Sequence, residues 1–240
     1  MPHHKLIARL LAVGPVSERD RDALRNMRYS VRNLADAEYA VRVGDRPSSC
    51  TIVLAGFLSR QRVVSDRMQI SSFYLAGDMP DLPSLHLPVM DHDLCSVGPS
   101  TIALVKHSDV RAMLQESTGL LNAFWRETLI QGAVYREWVD NLGARQALPR
   151  VAHLICEIAT RLEFVGLVEQ NSFNCPLTQE DVANACGLSI VHVNRTIQEL
   201  RRRGLIDWRG RTLELLQRQE FEEVAEFDAA YLHGLDRPHE

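Results

Sequence analysis

The hydrophobic period of this 240-residue chain changes from strand-like to helical near Ser108. From about residue 31 to residue 107, β-favouring runs such as "YAVRV", "CTIVLAGFLSRQRVV", "QISSFYL" and "TIALV" alternate with turns rich in Gly, Pro and Asp. Regularly spaced short strands of this kind predict an antiparallel sandwich or barrel. Beyond residue 108 the apolar residues recur every three or four positions, which is the period of a helix. The sequence therefore predicts an α+β chain whose β-rich half precedes a helical half.

Two segments depart from the β-rich pattern of the first half. The first 30 residues predict one or two short helices, with Ser17 as the N-cap of "SERDRDALRNM". The segment "GDMPDLPSLHLPVMDHD", residues 77–93, contains three prolines and has no period, so it predicts a loop or a short helix-loop set into the sheet.

A helix of about 25 residues is predicted directly after Thr118, and Gly143 is expected to end it as a C-cap residue. Side chains along it step by three and four residues and form one continuous seam. The helix is long, lies between two predicted domains and has a partly polar seam, so pairing with a second copy explains it better than packing within its own domain. The predicted homodimer interface comprises Leu121, Phe124, Thr128, Gln131, Tyr135, Trp138 and Leu142.

The stretch "LTQEDVANACGLSIVHVNRTIQELRRRGLI", residues 177–206, contains two helical patterns joined at Gly187. Thr178 is a good N-cap for the first helix, and Ser189 is a good N-cap for the second. Leu188 is placed to fill the angle between them. This helix-turn-helix arrangement puts its second helix into the major groove of DNA. The exposed face of that helix is predicted to present Ile190, Val191, Asn194, Arg195 and Gln198.

The charge distribution agrees with DNA binding at this place in the chain. Six arginines and two acidic residues lie between Ser189 and Arg211, whereas the whole chain has a net charge of −4. Phosphate contacts need such a local concentration of positive charge. The following "IDWRGRTLEL" predicts two short strands around an Arg-Gly turn, which extends the motif to a winged helix with Arg209 and Arg211 at its tip. A final helix is predicted within "RQEFEEVAEFDAAYLHGL".

Composition excludes several other classes of protein. No stretch approaches 18 uninterrupted apolar residues, so no membrane-spanning helix is expected. The five cysteines never form CxxC, which predicts buried thiols in a reducing cytoplasm rather than disulfides or a metal site. Nucleophile-elbow, P-loop, HExxH and paired-carboxylate patterns are missing from the sequence, so the chain is not expected to be an enzyme.

These features in this order resemble the Crp/Fnr family of bacterial transcription regulators. The resemblance covers roughly residues 30–216 and is strongest over "LTQEDVANACGLSIVHVNRTIQELRRRGLIDWRGRTLEL"; "LVKHSDVRAMLQESTGLLNAF" also resembles the junction of the family's last strand with its dimer helix. It implies an N-terminal β-roll of the cyclic-nucleotide-binding type, a long dimerisation helix and a C-terminal winged helix-turn-helix. The expected partners are a palindromic operator in double-stranded DNA, a second copy of the chain and RNA polymerase.

The resemblance also assigns roles in DNA binding. Thr178, Gln179 and Ser189 match residues that hold the phosphate backbone, and Arg195 matches an arginine that reads guanine. Where cyclic-AMP-binding members carry Arg and Glu, this chain has Ile190 and Val191, which implies a different operator with apolar contacts to thymine methyl groups. His192 either donates to a phosphate or lies at the rim of the groove. The candidate DNA-binding residues are Thr178, Gln179, Ser189, Ile190, Val191, His192, Asn194, Arg195, Arg209 and Arg211.

The sensor half departs more from the family pattern. Members that bind cyclic nucleotides use a Gly-Glu pair and an Arg-Ser or Arg-Thr pair. This segment keeps Gly77-Asp78, with Asp81 as a further candidate, and offers only His86 and His92 as cations. A cyclic phosphate would lack its arginine and meet like charge, so cyclic AMP is not the expected ligand. On the long helix the positions that meet the purine are Tyr135 and Arg136. The candidate ligand residues are Gly77, Asp78, Tyr135 and Arg136, and the cofactor stays unidentified.

Two alternatives for the sensor come from other branches of the family. An iron–sulfur cluster would need a group of N-terminal cysteines, but the first cysteine here is Cys50. A haem-type sensor would use His86, His92, Cys95 or Pro2. The alternative to a DNA-binding regulator is thus a cytoplasmic small-molecule, haem or redox sensor of the same fold with weak or vestigial DNA binding.

The expected division of the chain has four parts. Residues 1–108 form the β-roll sensor domain, and residues 109–143 form the dimerisation helix. Residues 144–216 form the winged helix-turn-helix domain, and residues 217–240 form a C-terminal helix and tail.

Overall fold

The computed structural model describes residues 3–235 and confirms the α+β architecture. Two short helices lead into an antiparallel sheet, which we call the β-roll (residues 30–106). Its two central strands are long: β3 spans 16 residues and β5 spans 14. The elements of this half are α1 (His3–Val13), α2 (Glu18–Arg25), β1 (Ser30–Leu34), β2 (Tyr39–Val41), β3 (Ser49–Val64), β4 (Arg67–Tyr74), a 3₁₀ turn (Leu82–Leu85) and β5 (Asp93–Lys106).

The β-roll has the strand order β1-β5-β3-β4, with β2 paired to β5, and every neighbouring pair is antiparallel. The pairing of β3 with β5 shifts register around Gly56, which has φ +78°. A Cβ on Gly56 would lie 2.7 Å from the Pro99 carbonyl oxygen, so only glycine fits where the two strands approach here. β5 begins well before the predicted strand "TIALV". The sequence pattern missed its first half because Gly98-Pro99 there is typical of a turn.

The helical half contains the predicted long helix α4, which has 27 residues. The sequence predicts that Gly143 ends this helix. In the structure α4 ends at Ala144, and Arg145 follows in extended conformation. The guanidinium of Arg150 donates to the carbonyl oxygens of Leu142 and Arg145, which satisfies carbonyls at the helix end without a glycine cap. The elements of this half are α3 (His107–Glu116), α4 (Thr118–Ala144), α5 (Ala147–Phe164), β6 (Ser172–Asn174), α6 (Gln179–Cys186), α7 (Ile190–Arg202), β7 (Ile206–Arg209), β8 (Thr212–Leu215) and α8 (Arg218–Val224).

Residues 147–224, which we call the winged domain, share a core with the β-roll. The aromatic rings of Phe57 and Phe73 in the β-roll belong to the same buried cluster as Val182 of α6 and Trp208 of β7. Helix α6 packs on β4. The two halves are therefore held in one arrangement by apolar burial.

The final helix is shorter than predicted, since α8 ends at Val224 and a 3₁₀ turn follows at Ala229–Leu232. We call residues 225–235 the C-terminal segment. Its Leu232 is fully buried, as is Phe221 of α8. The backbone N–H of Leu235 donates to the carbonyl oxygen of Ala12 in α1, 2.7 Å away. The end of the described chain thus crosses back to its beginning.

We expect Phe221→Ala to lower the free energy of unfolding by about 3–5 kcal/mol, because it removes a fully buried ring and leaves a cavity. Urea denaturation followed by circular dichroism would measure the change. Leu216→Ala removes an exposed side chain of the same domain and serves as the control. If both variants unfold at the same urea concentration, α8 is not part of the core in solution.

Candidate nucleic-acid interface and sensor site

The turn between α6 and α7 is fixed by capping. Thr178 and Asp181 form a reciprocal capping box, in which the Thr178 hydroxyl accepts from the Asp181 backbone N–H at 3.1 Å. Gly187 ends α6 in the left-handed conformation with φ +63°. The Ser189 hydroxyl then accepts from the backbone N–H of His192 and starts α7. These local hydrogen bonds set the angle at which α7 leaves α6.

Helix α7 is strongly two-sided. Val193, Ile197 and Leu200 are buried against the winged domain. On the opposite face Ile190 is 49% exposed and Val191 is 62% exposed, beside the exposed Asn194 and Arg195. The exposed face presents the predicted readers together near the N-terminus of the helix.

The polar side chains among the candidate DNA-binding residues differ in whether they already have hydrogen-bond or ion-pair partners within the chain. Asn194 donates to the side-chain oxygen of Gln179 at 3.2 Å, which ties α7 to α6. The side chains of Arg195 and Arg211 have no hydrogen-bond or ion-pair partner among residues 3–235. Arg211 lies beside Gly98 of β5, where a Cβ would be 3.8 Å from its guanidinium. Arg209 extends from the exposed wing and pairs with Asp207.

Most of the remaining positive charge is compensated within the domain. Arg202 and Arg203 both donate to Glu199, and these hydrogen bonds lower the pKa of Glu199 to about 2. Arg201 donates to the carbonyl oxygen of Trp208. The sequence count of six arginines therefore overstates the charge available to a phosphate backbone, and Arg195 stands out as the unpaired cation on α7.

The exposed face of α4 matches the predicted seam only in part. Leu121, Thr128 and Leu142 are exposed, and Gln131 is half-buried. Phe124 and Trp138 are buried in the chain's own cores, and the Trp138 indole N–H donates to Glu157 of α5 at 2.9 Å. They are unavailable to a partner, so their assignment to the dimer interface is corrected. Tyr135 is half-buried and faces the β-roll. The exposed apolar stripe, at helical spacing, consists of Leu121, Trp125, Leu129 and Val139, with Thr128 beside it and Leu142 further along the helix.

The candidate ligand residues Gly77 and Asp78 are engaged by the chain itself. A Cβ on Gly77 would lie 2.5 Å from the carbonyl oxygen of Lys5, so α1 covers this turn. The Asp78 carboxylate pairs with Arg161 of α5 at 2.6 Å and lies 3.7 Å from Arg9 of α1. All three side chains are at most 3% exposed. Arg136, the fourth ligand candidate, is exposed instead.

Asp78 is one end of a buried polar chain that links four parts of the molecule. Arg161 also donates to Glu157 at 3.0 Å, and Glu157 accepts from Trp138 of α4 and from the Tyr231 hydroxyl of the C-terminal segment. Burial would lower the pKa of Arg161, but the carboxylates of Asp78 and Glu157 outweigh it and raise that pKa. Arg161 is therefore a permanent cation between the β-roll and the winged domain.

His153 lies at the end of this buried polar network that is opposite to Asp78. It is fully buried, stacks on the Tyr231 ring at 5.8 Å and lies 3.2 Å from the Tyr231 hydroxyl oxygen. Burial lowers the pKa of His153 to about 4, and the charge of Arg145 adds to the effect. The imidazole is neutral at neutral pH and acts here as a packed aromatic ring.

A cavity of about 170 Å³ lies between the β-roll and α4. Its one arginine, Arg60, comes from β3 and is missing from the candidate ligand residues. No sequence pattern singled it out, because Arg60 lies in the polar stretch 59–62 of a predicted strand, near a second arginine. The cavity is lined by Leu6, Arg60, Tyr74, Gly77, Met79, Pro80, Leu82, Pro83, Phe124, Glu127, Thr128, Gln131, Gly132 and Tyr135.

The residues considered for haem or metal do not form a ligand cluster. His86 is exposed, whereas His92 is buried and hydrogen-bonded to Asp91. Pro2 lies outside the described residues. Within residues 3–235, His, Cys, Asp and Glu side chains form no group of three that could hold a metal ion. All five cysteines are buried and reduced, and burial raises the pKa of Cys50, Cys95, Cys156, Cys175 and Cys186.

None of the helices within residues 3–235 combines the length and apolar character needed to cross a membrane.

Comparison with known proteins defines the class. Residues 149–224 match the Crp-like helix-turn-helix domain. The chain is 24% identical over 192 residues to the transcriptional activator protein FnrL of Cereibacter sphaeroides, covering 78% of this chain and 76% of that protein. It is 24% identical over 204 residues to the transcriptional activator protein FnrA of Stutzerimonas stutzeri, covering 82% and 81%.

The fold agrees with the sequence comparison. The structure of FixK2 from Bradyrhizobium japonicum superposes with a TM-score of 0.74 at 21% identity, covering 82% of this chain and 98% of FixK2. The likeness to FixK2 covers most of both chains and concerns the fold. Residues 149–224 belong to the Crp-like helix-turn-helix domain family.

We expect Arg161→Gln to lower the free energy of unfolding by about 3–5 kcal/mol, because it leaves two buried carboxylates without their shared cation. Chemical denaturation would measure this loss. Arg25→Gln breaks an arginine–carboxylate pair on the surface of α2 and should change little, since solvent screens that pair. Equal effects of the two substitutions would contradict a special role for the buried pair.

Proposed function

We propose that the protein acts as a homodimeric, sequence-specific regulator that binds a palindromic operator in double-stranded DNA. The observation that carries this proposal is the exposed face of α7, where the unpaired Arg195 lies beside Ile190 and Val191. Arginine matches the two acceptors of guanine in the major groove through a bidentate contact. Ile190 and Val191 offer apolar contact to thymine methyl groups, which supports an operator that differs from that of cyclic-AMP-binding relatives.

The surrounding residues support backbone contacts. Thr178 and Ser189 cap their helices, so the helix N-termini and the two hydroxyls lie at the edge of the same surface as Arg195. We assign Gln179, His192 and Asn194 to the same phosphate-facing rim. Arg209, on the wing, is assigned to the flanking backbone. Arg211 is assigned there too, although its position beside Gly98 requires it to turn away from the β-roll first.

Dimerisation is assigned to the exposed stripe of α4, formed by Leu121, Trp125, Leu129 and Val139. Isolated exposed apolar side chains are common, but a stripe at helical spacing on a 27-residue helix is typical of a helix–helix interface. Two copies paired along α4 would place two α7 helices about one DNA turn apart, ~34 Å. We therefore keep residues 109–143 as the dimerisation unit and residues 144–216 as the DNA-binding unit.

We propose that a signal in the β-roll changes how the winged domain is held. The joint at residues 141–146 is not loose, because Asn141 is fully buried and Arg145 pairs with Glu137 at 2.8 Å. A change in orientation would have to reposition the buried pair of Asp78 and Arg161 as well. The signal is assigned to a ligand other than cyclic AMP, since Asp78 is already engaged. We further propose that the protein contacts RNA polymerase and that it is located in the cytoplasm.

We expect Arg195→Ala to weaken operator binding by about 5- to 150-fold for each half-site, since a bidentate arginine–guanine contact contributes about 1–3 kcal/mol. Fluorescence anisotropy on a selected palindromic site would measure the change. Arg209→Ala should weaken all sequences equally and reduce the salt dependence by about one charge per protomer. Arg19→Ala, on exposed α2, is the control. Full operator affinity in Arg195→Ala would contradict the assignment of Arg195 as the guanine reader, whereas a lack of specific DNA binding by the unchanged protein would favour the alternative, a sensor with vestigial DNA binding.

We expect the double substitution Trp125→Glu and Leu129→Glu to convert the dimer to monomers, because it places buried charges at the centre of the stripe. Light scattering coupled to size-exclusion chromatography would report the mass. Leu87→Glu replaces an equally exposed leucine in the loop after the 3₁₀ turn and should stay dimeric. A dimer that survives the double substitution would show that α4 pairs through another face.

A further inference from the structure

The cavity beside α4 is polar at one end and apolar at the other. It follows α4 from Phe124 to Tyr135. Tyr135 is eight residues beyond Glu127, which corresponds to about 12 Å along the helix axis. Arg60 and Tyr74 lie at the Tyr135 end, as their hydrogen bonds to Tyr135 show. The apolar end is formed by Leu6, Leu82 and Phe124 together with Met79 and Pro83.

The polar end has more donors than acceptors. Arg60 donates to the Tyr135 hydroxyl oxygen at 2.8 Å, and the Tyr74 and Tyr135 hydroxyls are 3.0 Å apart. Only one of these two hydroxyls donates to the other, so one O–H has no acceptor among residues 3–235. Burial raises the pKa of Tyr74 well above its usual value, and the neighbouring Tyr135 adds to this, so its hydroxyl stays protonated.

The positive charge at this end is only weakly compensated. Arg60 reaches Asp91 at 3.2 Å, but Asp91 is 74% exposed, so solvent screens that pair. The guanidinium uses Nη1 for Tyr135 and Nη2 for Asp91, which leaves further N–H groups without a partner in the described chain. A second anion reaching Arg60 from inside the cavity would be better shielded from water than Asp91 is.

The carboxylate of Glu127 does not oppose such an anion. It lies about 12 Å away along α4, and its Oε2 pairs with Arg9 at 3.3 Å. Burial raises the pKa of Glu127, and the charge of Arg9 counteracts this rise. The end of the cavity far from Arg60 is thus apolar except for Glu127, which lies about one helical turn from Phe124 and is paired with Arg9. An anionic group is therefore favoured at the Arg60 end.

We propose that this cavity binds a small organic carboxylate, whose anionic group meets Arg60 and the tyrosine hydroxyls and whose apolar body lies towards Phe124. A cavity of about 150 Å³ accommodates one benzene-sized ring, and this one measures about 170 Å³. It suits a single-ring or short aliphatic acid rather than a nucleotide, which has a base, a sugar and a phosphate. The assignment names the ligand class of the sensor and rests on the proposed function only for the consequence of binding.

Fluorine NMR of 4-fluorobenzoate with the full-length protein tests the proposal without DNA. We expect its resonance to shift and broaden with protein, whereas 4-fluorobenzamide, which has the same shape and no charge, should bind at least about tenfold more weakly. Arg60→Gln should weaken benzoate binding by at least the same factor. Tyr135→Phe should weaken it severalfold, because it removes the hydroxyl and keeps the ring. Arg62→Gln, an exposed arginine of the same strand outside the cavity, is the matched control.

Three results would overturn the assignment. The first is equal binding of the acid and the amide, and the second is unchanged benzoate binding in a folded Arg60→Gln variant. The third is a lack of binding by benzoate, phenylacetate and hexanoate at up to ~5 mM, a concentration that detects even weak complexes. Because the assay contains no DNA, these failures are distinct from loss of operator binding. Benzoate that binds but does not change operator affinity would leave the site intact and contradict only its sensory role.

Discussion

The buried ion pair between Asp78 and Arg161 is the interaction on which the arrangement of the two halves depends. Apolar packing between β4 and α6 brings the halves together, but it would tolerate small shifts in either direction. A buried charge pair does not tolerate such shifts. Each charge loses several kcal/mol of solvation on burial, and this loss is offset only while its partner stays within hydrogen-bonding distance. The pair therefore fixes the winged domain against the β-roll in one position.

The same pair explains why the sensor departs from its relatives. The Gly77-Asp78 turn stands where the family resemblance places a nucleotide-binding turn, yet its carboxylate points to two arginines of the same chain. Helix α1 covers the turn, and Lys5 also donates to the carbonyl oxygen of Val165 at the end of α5. In this chain the Asp78 carboxylate serves contact between the β-roll and the winged domain. The polar group available to a ligand lies elsewhere, on β3.

The parts of the structure that depend on local interactions could be predicted from the sequence. Thr178, Gly187 and Ser189 define the helix-turn-helix through hydrogen bonds and backbone conformations within a few residues. The phase of α4 could not, because Phe124 and Trp125 are adjacent apolar residues and one step turns a helix by about 100°. Only the long-range packing of Trp138 against Glu157 decides which face is buried. The pairing of Asp78 with Arg161 spans 83 residues and leaves no local pattern.

Glu157 receives hydrogen bonds from Arg161, Trp138 and Tyr231, which belong to three different segments. Residues that share one buried acceptor do not contribute independently, so the energetic effects of changing them are not additive. Sequence drift at these positions is consequently coupled. A homologue that loses the tyrosine has less to lose by replacing the tryptophan, and one that replaces the carboxylate releases all three donors at once. The residues that transmit position between the domains should change together in evolution, as one unit.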